Sequence, residues 1–175
     1  MEDFSNLLSV RRSHRQFTDT PVGEEALTAI LRAGLIAPSS KGLHGCEFVV
    51  VTNHEKIEAL SHCKALGAEF VKGATLVIVV LGLPEASDVW IEDASVASAL
   101  MLLEAEDLGL GGCWVQVRLR KDKVGRSAED NRRRELDIPS EKRVLNLLAF
   151  GHKGMERRPQ NEERLRWDKV HREKW

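Results

Sequence analysis

The chain has 175 residues, of which 42% are apolar and 30% are charged, and its net charge is −1. This length suits one domain with a substantial core, and the balanced charge argues against a general nucleic-acid-binding protein, which usually carries a basic excess. The apolar runs are too short to cross a bilayer, residues 1–10 show no signal-peptide pattern, and the three cysteines and six histidines follow no metal-ligand spacing, so we expect a metal-free cytoplasmic protein.

The hydrophobic pattern predicts alternating helices and strands. In chain order, we expect helices over 4–12 and 23–34, a strand over 48–51, short helices over 55–60 and 65–72, and a strand over 75–81. There follow a long helix over about 91–108, a glycine-rich turn at 110–112, a strand over 113–117, a partly helical segment over 121–136, a turn at 137–139 and a strand over 144–150. The alternation predicts an α+β domain with α/β-like layers, in which helices flank a central mixed β-sheet.

The segment 93–114 combines small residues on a helix with a glycine cluster at its end. Small side chains allow a second backbone or a flat ligand to approach closely, and glycines leave backbone amides uncovered. The turn is therefore a candidate for presenting amides to an oxygen-rich ligand. A simple helix C-cap is the alternative reading of the same glycines.

Arginines and a serine alternate near the start of the chain, at Arg11, Ser13 and Arg15. In an extended backbone these three side chains lie on one side. Two guanidinium groups and a hydroxyl suit a phosphate dianion, because arginine offers paired donors. The alternative is a solvated, charged face of an N-terminal helix.

Three segments taken in order resemble the nitroreductase family of FMN-dependent oxidoreductases: RRSHRQF at 11–17, APSSKGLHGCEFVVV at 37–51, and the segment 93–114 ending in GLGGCW. The resemblance extends from about Leu8 to Trp175. It implies a nitroreductase-like fold for residues 1–152 and a C-terminal arm, residues 153–175, that wraps around a partner subunit. Two tryptophans in this charged arm also favour docking, because each needs an apolar surface.

The resemblance also implies which residues contact FMN. Arg11 and Ser13 would bind the phosphate or ribityl chain, Arg15 the pyrimidine edge of the flavin, and Arg164 (or Arg166) the phosphate from the arm. The full set of implied FMN contacts is Arg11, Arg12, Ser13, Arg15, Pro38, Ser39, Ser40, His44, Gly111, Gly112 and Arg164. The loop at 38–46 departs from the family pattern, since Gly42, His44, Gly45 and Cys46 stand where Asn, Gln, Pro and Trp are usual.

The function implied by the resemblance is an FMN-dependent oxidoreductase that uses NADH or NADPH to reduce nitroaromatics, quinones or related acceptors by a ping-pong mechanism. The flavin N5 carries the chemistry, so no catalytic side chain is assigned. A homodimer with the flavin at the interface is expected, with no nucleic-acid or membrane partner. Other flavin chemistry on the same scaffold, such as a dehydrogenase, dehalogenase or flavin-consuming enzyme, and a non-catalytic flavin-binding protein are the alternatives.

Overall fold

A computed structural model describes residues 3–175 and confirms an α+β fold built on one four-stranded sheet. Its helices are α1 (Phe4–Val10), α2 (Glu24–Leu35), α3 (His54–Ser61), α4 (Trp90–Asp107) and α5 (Ala128–Glu135). Its strands are β1 (Glu47–Val51), β2 (Leu76–Gly82), β3 (Leu110–Gln116) and β4 (Arg143–His152), in the spatial order β1-β2-β4-β3. Within residues 3–175, no helix is long and apolar enough to cross a membrane.

The sheet is antiparallel in all three of its strand pairs. We expected a mixed sheet, but within the described residues the parallel component is limited to a single bridge between Ser13 and Gly112. Because β2 and β3 both run opposite to β4, they share a direction without pairing. The long helix α4 connects them across the intervening strand.

Strands β2 and β4 form the centre of the molecule and are covered on both faces. Alternate side chains enter two cores. Ile78 and Phe150 pack with Ile30 of α2 and Met101 of α4. Val79 and its neighbours on the other face pack with α3 and the turn that follows it. The uninterrupted apolar run of β2 reflects this burial on both sides.

Several element boundaries differ from those predicted. Helix α1 ends at Val10, because Arg11 already has ψ 120°. The helix predicted over 65–72 is only a 3-10 turn at Glu69–Gly73, preceded by Gly67 with φ +77°. The turn predicted at 110–112 is wrong, since these residues belong to β3 and pair with β4. The turn instead lies at Gly109, whose φ is +74°, a value that favours glycine.

The segment from Gly154 to Trp175 lies on the surface and is exposed along its whole length. It contains two short 3-10 turns, Glu162–Arg164 and Trp167–Lys169. Trp167 is 70% exposed and Trp175 is fully exposed. We call residues 158–160 the root of the arm. The root is attached to the domain by the Gln160 amide, which donates to the carbonyl of Ser9 at 2.7 Å.

Candidate functional site

The segment from Arg11 to Phe17 runs in an extended conformation beside the end of the sheet. The His14 amide donates to the Gly112 carbonyl at 3.0 Å, and Ser13 forms the parallel bridge with the same glycine. Farther along, the Thr18 amide donates to the His152 carbonyl at 3.0 Å. Successive side chains of an extended segment point to opposite sides. The segment is therefore not the continuation of α1, and its backbone is of the kind that places Arg11, Ser13 and Arg15 on one side.

One side of this segment gathers positive charge around Cys113 of β3. Burial raises the pKa of the Cys113 thiol, while Arg15, the nearby Ser13 hydroxyl, Lys64 and Arg11 act in the opposite direction. The Arg15 guanidinium also lies over the Phe70 ring, 5.7 Å from its centroid. We call Arg11, Ser13, Arg15 and Lys64 the cation cluster. The three residues predicted from their spacing all lie near Cys113, and their contact with FMN stays a prediction.

Lys64 is the member of the cluster that sequence reasoning missed. It follows the buried Cys63 in the loop after α3, and no pattern in that loop distinguishes it from a surface lysine. The tertiary fold brings it beside β3. Within residues 3–175, no carboxylate forms an ion pair with any of the three cations of the cluster. An unpaired group of cations around a hydroxyl can hold a phosphate or another anion.

The opposite side of the same segment carries charges that are already paired. His14 is 4% exposed, and beside it the Lys153 ammonium contacts the Glu106 carboxylate at 2.6 Å. Burial lowers the pKa of His14, with opposing influences from Glu106 and Lys153. Arg12 donates from Nη1 to the carbonyls of Arg158 and of Pro159, the latter at 3.2 Å. Arg12 thus engages the root of the arm rather than the cation cluster.

Gly111 allows the segment to approach the sheet closely, and Gly112 allows Leu102 of α4 and Phe150 of β4 to pack against β3. A Cβ on Gly111 would lie 2.8 Å from the Cβ of His14, and a Cβ on Gly112 would lie 2.8 Å from Leu102 and 3.1 Å from Phe150. The observed role of these glycines is therefore steric, in a strand rather than a turn. Their direct contact with FMN stays a prediction.

The loop at 38–46 lies on the N-terminal part of α4. The Ser40 amide donates to Asp93 Oδ1 at 2.8 Å, and the His44 amide donates to Ser39 Oγ at 2.8 Å. Three residues of the loop have positive φ: 54° at Lys41, 64° at Gly42 and 46° at His44. Glycine accepts this conformation without strain. These bonds hold the backbone of Ser39, Ser40 and His44 in one arrangement.

A small cavity of about 30 Å³ lies under this loop, with Pro38, His44, Cys46 and Asp93 among its lining residues. Burial and the Asp93 carboxylate raise the pKa of Cys46 to about 11, so the thiol is neutral. Within residues 3–175, no hydrogen bond or ion pair joins the loop at 38–46 to the segment from Arg11 to Phe17. Within one chain, the predicted residues of the loop at 38–46 are therefore not bonded to those of the segment from Arg11 to Phe17.

The arm places Arg164 near Arg12 and Arg158, around a surface cavity of about 400 Å³. Arg166 instead pairs with Asp168 at 2.6 Å, and this contact raises the pKa of Arg166 and lowers the pKa of Asp168. Of the two arm arginines considered for the phosphate, Arg164 has its guanidinium uncommitted within the part of the chain described. Neither arginine belongs to the cation cluster in a single chain.

Comparisons with known proteins agree with this geometry. The model of the nitroreductase family matches residues 8–68 and 58–152. A protein from Archaeoglobus fulgidus, described as a candidate NADH dehydrogenase/NAD(P)H nitroreductase, is 30% identical over 180 aligned positions that span 100% of both chains.

Two solved structures share the fold. An FMN-dependent nitroreductase from Clostridium difficile R20291 is 42% identical, with a TM-score of 0.94 over 97% of this chain and 98% of the other. A candidate nitroreductase from Desulfovibrio desulfuricans, solved in complex with FMN, is 26% identical, with a TM-score of 0.72 over 91% of this chain and 93% of the other.

Proposed function

This chain belongs to the nitroreductase family, and from that premise we propose that it is an FMN-dependent oxidoreductase. NADH or NADPH is the electron donor, and a nitroaromatic, a quinone or a related small molecule is the acceptor. Donor and acceptor occupy the same position in turn, which gives a ping-pong cycle. The names of the relatives from Archaeoglobus fulgidus and Clostridium difficile support this proposal.

The observation that carries the proposal is the cation cluster. Arg11, Arg15, Lys64 and the Ser13 hydroxyl all lie near Cys113 of β3, and within residues 3–175 none of the three cations forms an ion pair. Unpaired cations held together in this way repel one another, so an anionic ligand stabilises the arrangement. The donor set suits a phosphate monoester, which accepts several charge-assisted hydrogen bonds.

The same residues fit the two ends of FMN. Arg11 and Ser13 bind the phosphate, and Arg15, held over the Phe70 ring, faces the pyrimidine edge of the flavin. When bound, FMN supplies the two-electron chemistry between nicotinamide and acceptor. A fixed cation such as Arg15 favours the negative charge that reduction leaves at the pyrimidine edge. The chain therefore orients the cofactor and sets its potential.

A homodimer completes the site in this proposal. Phe4, Ile36 and Val96 lie 61%, 61% and 40% exposed, on the surface formed by α1, α2 and α4. A groove of about 320 Å³ runs between these helices. Helix α4 is also apolar on its buried side, where Ala97 and Met101 face the sheet. A helix that is apolar on both sides requires a second covering surface, and a second copy supplies one by symmetry.

Dimerisation also explains why the loop at 38–46 and the cation cluster are not joined within one chain. The loop at 38–46 of one subunit reaches the cation cluster of the other, so that Pro38, Ser39, Ser40 and His44 contact the flavin across the interface. The arm crosses to the partner, where Trp167 and Trp175 find apolar partners. We also propose a reducing compartment, the cytoplasm, and the three unpaired cysteines support this part of the proposal.

The test begins with the purified protein. Denaturation should release FMN rather than FAD, and anaerobic addition of NADH or NADPH should bleach the flavin absorbance. Turnover with a quinone or a nitroaromatic should then give parallel lines in double-reciprocal plots. Recovery of FAD, or failure to bind FMN at micromolar concentration, contradicts the proposal. A yellow protein that neither nucleotide reduces would instead favour a non-catalytic flavin-binding role.

A further inference from the structure

The feature that the proposed function leaves unused is a strongly basic loop between β3 and α5. It consists of residues 118–126, which we call the basic loop. Five of its nine residues are cationic: Arg118, Arg120, Lys121, Lys123 and Arg126. Its one acid, Asp122, pairs with Arg126 at 2.8 Å and therefore balances only one of them.

The basic loop has a defined conformation. Asp122 accepts hydrogen bonds from the amides of Val124 and Arg126, from Arg126 Nε and from Asn131 Nδ2, at 2.8–3.0 Å. Partial burial disfavours the ionised carboxyl, but these hydrogen bonds outweigh it and lower the pKa of Asp122 to about 2. Leu119 is held at φ +60°, a rare conformation for a branched side chain. A loop ordered before binding loses less entropy when a ligand arrives.

The basic loop borders the cation cluster. The Ala65 amide donates to the Lys121 carbonyl at 2.9 Å, and Lys64, a member of the cluster, is the residue next to Ala65. The Arg118 amide donates to the Leu145 carbonyl at 3.0 Å, which attaches the start of the loop to β4. The basic loop therefore lies next to Lys64 in the fold.

The outer surface of the basic loop combines free cations with apolar side chains. Within residues 3–175, Arg120 and Lys121 form no side-chain hydrogen bond or ion pair. Backbone hydrogen bonds lower the pKa of Glu69, and the charge of Lys123 lowers it further without a direct contact. Leu119 is 77% exposed and Val124 is 73% exposed beside these cations.

We propose that the basic loop binds the adenosine 2′-phosphate of NADPH and makes NADPH the preferred electron donor. This inference rests on the proposed function, in which a nicotinamide lies over the flavin. NADPH differs from NADH only by this phosphate, which carries a charge of about −1.5 to −2 at pH 7. Arg120, Lys121 and Lys123 supply the opposite charge, and Leu119 and Val124 supply an apolar surface for the adenine.

The test compares two double variants of the FMN-loaded protein with equal changes in net charge. Arg120→Ala with Lys123→Ala removes two cations from the basic loop. Arg32→Ala with Lys56→Ala removes two exposed cations from α2 and α3, and serves as the matched control. We measure kcat/KM for NADPH and for NADH at a fixed quinone concentration. Binding of adenosine 2′,5′-bisphosphate and of AMP is measured separately by calorimetry, and flavin content and circular dichroism confirm folding.

We expect the parent protein to prefer NADPH. The loop variant should lose at least about tenfold in kcat/KM for NADPH, the scale of one or more charge-assisted contacts, with less than about twofold change for NADH. The control variant should keep the preference of the parent. The parent should also bind the bisphosphate more tightly than AMP, and the loop variant should not.

Equal use of both nucleotides by the parent, or an equal loss for both in the loop variant, overturns the inference while leaving the proposed function intact. Failure of both nucleotides to reduce FMN overturns the proposed function instead. In that case the calorimetry still decides the inference: equal binding of AMP and the bisphosphate would overturn it.

Discussion

Both sides of the extended segment 11–15 have basic residues, but the cations have acidic partners on one side only. On one side Arg11 and Arg15 stand without acidic partners around Cys113. On the other side the Lys153–Glu106 ion pair covers the buried His14. We assign ligand binding to the first side and a structural role to the second. A charge that is already paired within the protein binds a ligand weakly, whereas an unpaired cation attracts an anionic ligand. The predictions below test this division.

The largest expected effect is on the paired side. Glu106→Gln should destabilise the fold by about 3 kcal/mol, because it leaves the partly buried Lys153 ammonium without a carboxylate. Urea unfolding measures this loss. The double variant Glu106→Leu with Lys153→Met should recover most of it, since no unpaired charge remains. A single variant as stable as the parent would show that the ion pair is dispensable.

Removal of residues 154–175 should have the second largest effect. The arm begins on the paired side and is proposed to end on the partner subunit. Each fully buried large apolar side chain stabilises by about 1.5–3 kcal/mol, so loss of Trp167 and Trp175 should weaken both the dimer and FMN binding. Sedimentation and a flavin titration measure the two effects. The full-length double variant Trp167→Ala with Trp175→Ala is the control for the anchors alone. A truncated protein that stays dimeric and binds FMN as tightly as the parent contradicts the assigned role of the arm.

Arg11→Ala tests the unpaired side directly. It should weaken FMN binding by about 1.5–3 kcal/mol, the scale of one charge-assisted contact. Riboflavin, which lacks the phosphate, should bind the variant and the parent equally. Arg12→Ala provides the contrast, because the Arg12 guanidinium already donates to carbonyls of the arm root and should affect FMN less. Equal losses for FMN and riboflavin in Arg11→Ala would remove Arg11 from the phosphate site.

The smallest expected effect is a pH dependence from His14. Burial lowers its pKa in the folded state below the usual 6.5, so the unfolded chain binds more protons than the folded chain just below that pH. The contribution of neutral His14 to the free energy of unfolding is therefore fully present above pH 6.5 and is lost as the pH falls through the folded-state pKa. Urea unfolding at about pH 7.5 and about pH 5.5 should show a smaller difference in His14→Gln than in the parent. An unchanged difference would exclude His14 as its source.

The sequence predicted most of the fold because the apolar runs are long and periodic. The strand at Leu76–Gly82 and the helix at Trp90–Asp107 both lie within a residue or two of their predicted bounds. The pattern assigns the glycines at 111 and 112 to a turn, because glycine is common in turns and a single sequence does not show what approaches a strand. The close approach of His14 to Gly111 is a long-range contact that local pattern does not encode.

The candidate site also has one part that the sequence pattern predicts and one part that only the fold reveals. Alternation groups Arg11, Ser13 and Arg15 on one side if the backbone is extended, because an extended backbone has a period of two. Lys64 joins them only because α3 and the loop after it pack beside β3, and Arg12 leaves them because the arm root supplies acceptors. The sequence by itself thus determined most of the secondary structure and predicted an anion-binding type of site, since both depend on neighbouring residues. Tertiary structure alone decided which charges stay unpaired, since that depends on partners distant along the chain.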